Sequence, residues 1–237
     1  LNPKLEPAYY NLAQTLLTSR QPDQALAVLA QARQQFGQTF LLEYLSGLAC
    51  SQRHDYTNAR QHFIAAEVIA RATDTNRLTA ALYFQLGVTA ERTGDIPGAV
   101  RAFEQCLQLE PQFHPAQNYL GYMWAERGEN LERARALIEQ AVQAEPQNSA
   151  YLDSMAWVLF QLGQPTDALA WMERALQYME EPDATLYEHY GDILAALGRI
   201  EDARQAWQRA LRLEPDNARI RQKLESHATA DRSPRTP

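Results

Sequence analysis

With 237 residues, 46% of them hydrophobic and 22% charged, the chain has the composition of a polypeptide that buries a core, which excludes a disordered segment. A net charge of −7 excludes the basic footprint of a nucleic-acid binder, and no apolar run approaches the roughly 20 residues that span a bilayer. Two cysteines, Cys50 and Cys106, provide neither a disulfide framework nor a metal-binding spacing.

The first three residues, Leu-Asn-Pro, read as the close of a preceding repeat, so further repeats are expected upstream. From residue 6 the small and apolar residues recur at helical spacing. Leu12-Ala13, Ala25, Leu29 and Ala32 set a pattern that Gly47, Ala59, Phe63 and Ala66 follow. Leu86-Gly87, Gly94-Asp95, Ala99, Phe103, Cys106 and Pro111 repeat it. Leu120-Gly121, Gly128, Ala134, Ile138, Ala141 and Pro146 carry it with one extra residue in the turn. Met155-Ala156, Gly163, Ala168, Met172 and Ala175 give a further copy, and Tyr190-Gly191, Gly198, Ala203, Trp207, Ala210 and Pro215 the last. With the first small residue taken as position 8, the copies begin near residues 6, 40, 80, 114, 149 and 184, at spacings of 34, 40, 34, 35 and 35.

Each copy reads as helix–turn–helix. Small residues at positions 8 and 20 let two antiparallel helices cross closely, and a small residue at position 27 lets the second helix meet the next copy. A glycine within a helix costs about 1 kcal/mol relative to alanine, which close packing offsets. Because Ala13 and Ala156 fill position 8 elsewhere, alanine is expected to be nearly neutral at Gly87 or Gly191, and leucine destabilising through overpacking. Gly94, Gly128, Gly163 and Gly198 are expected to end first helices in the left-handed region. Pro111, Pro146 and Pro215 stop second helices. The 40-residue spacing holds six extra residues around "RATDTNRL". They predict a lengthened second helix, then a longer first helix opened by Thr75 or Asn76. Glu43 and Ser46 occupy slots that are otherwise apolar. Beyond Pro215, Asp216 or Asn217 caps a terminal helix whose apolar contacts are Ile220 and Leu224.

The period and the small-residue pattern resemble the tetratricopeptide repeat (TPR) family. That resemblance implies an all-α, right-handed superhelical solenoid of antiparallel helix pairs. A single array is expected over residues 1–226, with repeats at 6–39, 40–79, 80–113, 114–148, 149–183 and 184–217 and a capping helix at 217–226. Residues 227–237 read as a flexible tail.

Catalytic constellations are missing from the sequence: no G-x-x-x-x-G-K-[ST], G-x-S-x-G or H-E-x-x-H occurs. His54, His62, His114, His189 and His227 fall at different repeat positions. His189 and Asp192, with Glu188 beside them, read as a polar helix face. Cys50 and Cys106 sit at packing positions 11 and 27 and read as buried, inert thiols. No enzyme, cofactor or metal is therefore expected within the segment.

The first helices offer one further signal. Their positions 2, 5, 9 and 12 face away from the partner helix, yet they carry aromatic and apolar residues: Tyr10, Gln14 and Leu17, then Tyr44 and Leu48, then Phe84 and Val88. Asn118 and Tyr122 follow, then Asp153, Trp157 and Phe160, and last the polar Glu188, His189 and Asp192. Two accounts stay open. These residues fill space between first helices, or they form a concave groove that binds a partner. In the second account Asn11 and Asn118 bind a peptide backbone. Asn11 resembles an asparagine of the tetratricopeptide domains that clamp a terminal carboxylate, but the basic residues of that clamp are missing, so a carboxylate-clamp ligand is not expected. The acidic end at Asp153, Glu188 and Asp192 predicts a basic or neutral ligand segment.

Residues 120–146 and 151–163, "LGYMWAERGENLERARALIEQAVQAEP" and "YLDSMAWVLFQLG", resemble a bacterial class of secreted or lipid-anchored tetratricopeptide adaptors. This implies a cell-envelope location, with a cytoplasmic one as the alternative. The function expected is a non-catalytic protein–protein interaction scaffold with an apolar or aromatic protein ligand. The alternatives are an arm of a larger enzyme and a self-assembling scaffold or homo-oligomer.

Overall fold

A computed structural model describes residues 5–228; of the tail expected at 227–237, His227 and Ala228 instead belong to the last helix, and the rest lies outside the described residues. Among the described residues there are thirteen α-helices and no strand. Twelve helices form successive pairs: α1 (Glu6–Thr18) with α2 (Pro22–Phe36), α3 (Phe40–Gln52) with α4 (Tyr56–Thr73), and α5 (Ala80–Arg92) with α6 (Ile96–Leu109). Then come α7 (His114–Arg127) with α8 (Leu131–Ala144), α9 (Ser149–Gln161) with α10 (Pro165–Tyr178), and α11 (Ala184–Ala196) with α12 (Ile200–Leu213), before a terminal α13 (Ala218–Ala228). The chain divides into two compact units, one reaching Ala116 and the other starting at Gln117. In the first, each helix packs on the next and α1 also touches α3; in the second, α9 packs on α8, α10 and α11, and α13 on α12.

One turn recurs in every pair. The residue two beyond each first helix, or one beyond it after α7, has positive φ, and the next N–H reaches back to a carbonyl five residues earlier, as in Gln21 to Leu16 and Asp95 to Ala90, both 2.9 Å. Gly94, Gly163 and Gly198 adopt this conformation at φ +76° to +83°, but Arg20 and His54 occupy the same slot at +55° and +59°. In the longer turn, Gly128 is followed by Asn130, also left-handed, ahead of α8.

Close helix crossing fixes the small residues. Positions 20 and 27 are fully buried in all six pairs, from Ala25 and Ala32 to Ala203 and Ala210. At position 8 the glycines face a bulky side chain of the second helix: Gly47 meets Phe63, Gly87 meets Phe103, Gly121 meets Ile138 and Gly191 meets Trp207. A Cβ on Gly87 would lie 2.6 Å from the Phe103 ring, and one on Gly121 2.9 Å from the backbone oxygen of Ala134. The space at Gly87 and Gly191 thus argues against the near-neutral alanine that the sequence suggested, because a neighbouring ring must shift to admit it. In the two pairs with alanine at this position, Ala13 and Ala156, the residues sixteen further on are Leu29 and Met172, not aromatic rings.

The extra residues behave differently from the expectation at their far end. The second helix does lengthen, since α4 has 18 residues. The following first helix does not, because Asp74 stops the chain. Its carboxylate accepts the Asn76 N–H at 3.1 Å and pairs with Arg77, closing a 3-10 turn over Thr75–Arg77. Thr79 then caps α5, its hydroxyl accepting from the Leu82 N–H. One of the two polar residues at apolar slots has charged partners. Glu43 is 1% exposed and is held by Arg33 at 2.7 Å and His62 at 2.6 Å, one from each flanking second helix.

Candidate partner-binding groove

In the first unit α1 and α3 lie side by side and leave an open cleft of about 410 Å³, lined by Tyr10, Asn11, Gln14, Leu17, Tyr44 and Leu48 among others. The structure thus brings together one set of the residues singled out from the sequence. Tyr10 is held rather than available: its hydroxyl lies 2.7 Å from Glu6 and 2.6 Å from Thr39, and burial with the nearby Glu6 charge pushes its phenol up to about 12. Burial likewise raises the Tyr44 phenol, whose ring stacks on Phe40 at 5.8 Å and meets the edge of Phe63 at 5.7 Å. Asn11 and Gln14 are exposed one turn apart, and their side-chain amides make no hydrogen bond among the described residues. Leu41, 40% exposed, also lines the cleft; it falls at position 2 of the second copy, one of the four outward positions, but was not singled out from the sequence, where the aromatic residues at positions 5 and 9 drew the reading. Phe84 and Val88 are half-buried, and Phe84 packs on Phe103 and Phe113 at 5.9 and 5.3 Å.

The second unit uses its corresponding residues internally. His189 is 1% exposed, with Nδ1 2.9 Å from Asp153 Oδ1 and Nε2 3.5 Å from Glu126 Oε1. Burial opposes its charge, but Asp153 and Glu126 outweigh that and raise its pKa to about 9. The imidazolium lies flat on Trp157, ring centroids 4.0 Å apart, with Tyr122 at 6.1 Å on its other contacts. Trp157, stacked in turn on Phe160 at 5.1 Å, is 8% exposed, so it does not present an open face. Its indole N–H and the Asn118 side-chain oxygen are buried without a hydrogen-bond partner among the described residues.

The acidic residues expected to face a ligand are also engaged. Glu188, 2% exposed, binds Lys223 at 2.6 Å and Arg219 at 2.7 Å; burial resists its ionisation, yet these two cations keep it below the usual carboxylate range. Asp192 binds Lys223 at 2.5 Å and accepts from the Trp207 indole at 2.9 Å. The terminal helix α13 therefore neutralises the end that the sequence suggested for a basic segment. Cys50 and Cys106 are buried free thiols, and burial raises both, Cys106 to about 12. Among the described residues no three His, Cys, Asp or Glu side chains converge as a metal set, and no helix is long and apolar enough to cross a membrane.

Successive antiparallel helix pairs with small crossing residues define a helical-repeat protein, the class of protein-interaction scaffolds. The tetratricopeptide repeat family profile matches residues 5–216, and the chain belongs to that family. It is 28% identical over 186 residues to the TPR repeat-containing protein PA4667 of Pseudomonas aeruginosa, covering 78% of this chain and 30% of that protein. The chain thus spans less than a third of that relative's length. Its fold is similar to that of PilW, a type IV pilus biogenesis factor, with a TM-score of 0.72 at 18% identity over 94% of this chain and 98% of PilW. It is also similar to a chain of the APC/C hetero-tetramer Cut9–Hcn1, with a TM-score of 0.77 at 14% identity over 97% of this chain and 44% of that one. These likenesses establish the all-α tetratricopeptide fold.

Proposed function

We propose that this chain is a non-catalytic adaptor that holds an extended segment of a partner protein in the cleft between α1 and α3. The observation that carries this reading is the pairing of open volume with unbonded amides: Asn11 and Gln14 flank apolar Leu41, Tyr44 and Leu48. An extended backbone offers one donor and one acceptor per residue, which side-chain amides match, while apolar side chains of the segment bury against the leucines and tyrosine. The complex of Cut9 with Hcn1 supports a protein ligand for this fold. The residues of the second unit named above enter this function as scaffold, since Asp153 and His189 pair with each other, Glu188 and Asp192 bind Lys223, and Trp157 is covered by the His189 ring.

Peptide-display selection on the whole chain tests the reading. Selected peptides are expected to lose about tenfold in affinity when Asn11 and Gln14 are both changed to alanine, the size of one or two backbone hydrogen bonds. Both residues are exposed, so the melting temperature of the variant stays within a degree or two. Peptides that bind the variant and the parent chain equally would remove the cleft as the binding site.

A further inference from the structure

The six extra residues between the second and third pairs are absent from the other spacings, which stack their helices without them. The 3-10 turn of this insertion delivers Arg77 to a second cleft, of about 360 Å³, that adjoins the first: Leu41 and Tyr44 line both. Arg77 is the one formally charged side chain among the residues lining the two clefts, every other being apolar, hydroxyl or amide. Its guanidinium is held over the Phe40 ring, 5.2 Å from the centroid. It bonds to Asp74 through Nε alone, at 3.3 Å, and its two terminal nitrogens make no hydrogen bond among the described residues. A flat, oriented guanidinium with both outer N–H edges open is suited to a carboxylate, which it grips bidentately.

Resting on the adaptor reading above, we infer that the insertion is a specificity element: the partner segment is uncharged along the α1–α3 cleft and carries one carboxylate, from an acidic side chain or a chain terminus, that docks on Arg77. Charge complementarity supports this occupant. An uncharged lining would leave any charged group of the ligand unpaired at the cost of its desolvation, except at the one place where a cation waits. This differs from a clamp of basic residues on the groove helices, because the cation here comes from the loop between the pairs.

The test uses the peptides selected on the whole chain, each paired with a version in which Asp or Glu is replaced by its amide and a version with an amidated C-terminus. Expected is an acid-dependent affinity that falls about tenfold with Arg77→Gln, and an amide peptide that is indifferent to that change, so the two losses are not additive. Asp74→Asn, which keeps the acceptor for the Asn76 N–H but removes the competing charge, is expected to tighten the acidic peptides. The C-terminal amide arm tells a terminal from a side-chain carboxylate. Peptides that depend on Asn11 and Gln14 but are indifferent to Arg77→Gln and to loss of their acid would overturn this inference and leave the adaptor reading standing. Absence of any peptide sensitive to Asn11 and Gln14 would overturn both.

Discussion

Gly87 shows how one atom sets the spacing of two helices. The Phe103 ring occupies the space that a Cβ would take and is itself fully buried, so it has nowhere to move. Gly87→Ala is expected to cost about 1–3 kcal/mol through overpacking. Adding Phe103→Leu recreates the Ala13–Leu29 combination of the first pair, and the double variant should lose at least 1 kcal/mol less than the sum of the single losses. Melting of the four proteins measures this, and strict additivity would discard the ring-contact explanation. His189 makes a second prediction. Its folded pKa, about 9, lies above the ordinary histidine value, so its stabilisation is fully present below pH 6.5 and is lost as pH rises through 9. The loss is about 3 kcal/mol by the size of the shift. The neighbouring Glu126 carboxyl, held low chiefly by its bond to His189, stays ionised across this window. The melting temperature should therefore fall between pH 7 and pH 10, and His189→Gln should flatten that fall.

At the scale of the element, the turn after each first helix is the same hydrogen-bonded motif carried by unequal residues. An L-residue with a Cβ pays about 1–2 kcal/mol in the left-handed region, and glycine pays part of that back as unfolded-chain entropy. Arg20→Gly is thus expected to stabilise by up to about 1 kcal/mol. His54→Gly should gain less, because the imidazole bonds the Tyr56 hydroxyl at 3.0 Å. A higher melting temperature for the first variant, and a smaller rise for the second, is the expected pattern. If Arg20→Gly lowers the melting temperature, the arginine makes a contact that outweighs its backbone strain.

For the molecule as a whole, stability in a stacked array is a sum of pair stabilities and nearest-neighbour interfaces. The terminal helix α13 contributes buried Ile220, the Leu224 contact, the His227–Trp207 ring contact at 4.9 Å and both cations on Glu188. Ending the chain after Glu214 should speed amide hydrogen exchange in α11 and α12, whose carboxylates and apolar face lose their cover, and leave α1–α6 unchanged. Equal acceleration in every helix would mean that the array unfolds as one cooperative block.

The fold was legible in the sequence because its determinants are local. Helix starts, glycine turns, proline stops and small crossing residues lie within one 34-residue unit and recur, so each copy corroborates the others. Part of the cleft was legible for the same reason: Tyr10, Gln14, Tyr44 and Leu48 follow from helical periodicity alone. What the sequence left undecided depends on partners far along the chain. Whether Trp157 faces solvent was decided by His189, 32 residues on, and whether Glu188 and Asp192 are free by Lys223, 35 and 31 residues on. Whether the insertion extends a helix or turns back was decided by the Asp74 carboxylate, and that choice placed Arg77 at the cleft. Periodicity states which way a side chain points from its own helix. Only the packed structure states what meets it there, because burial and charge pairing are properties of the neighbours.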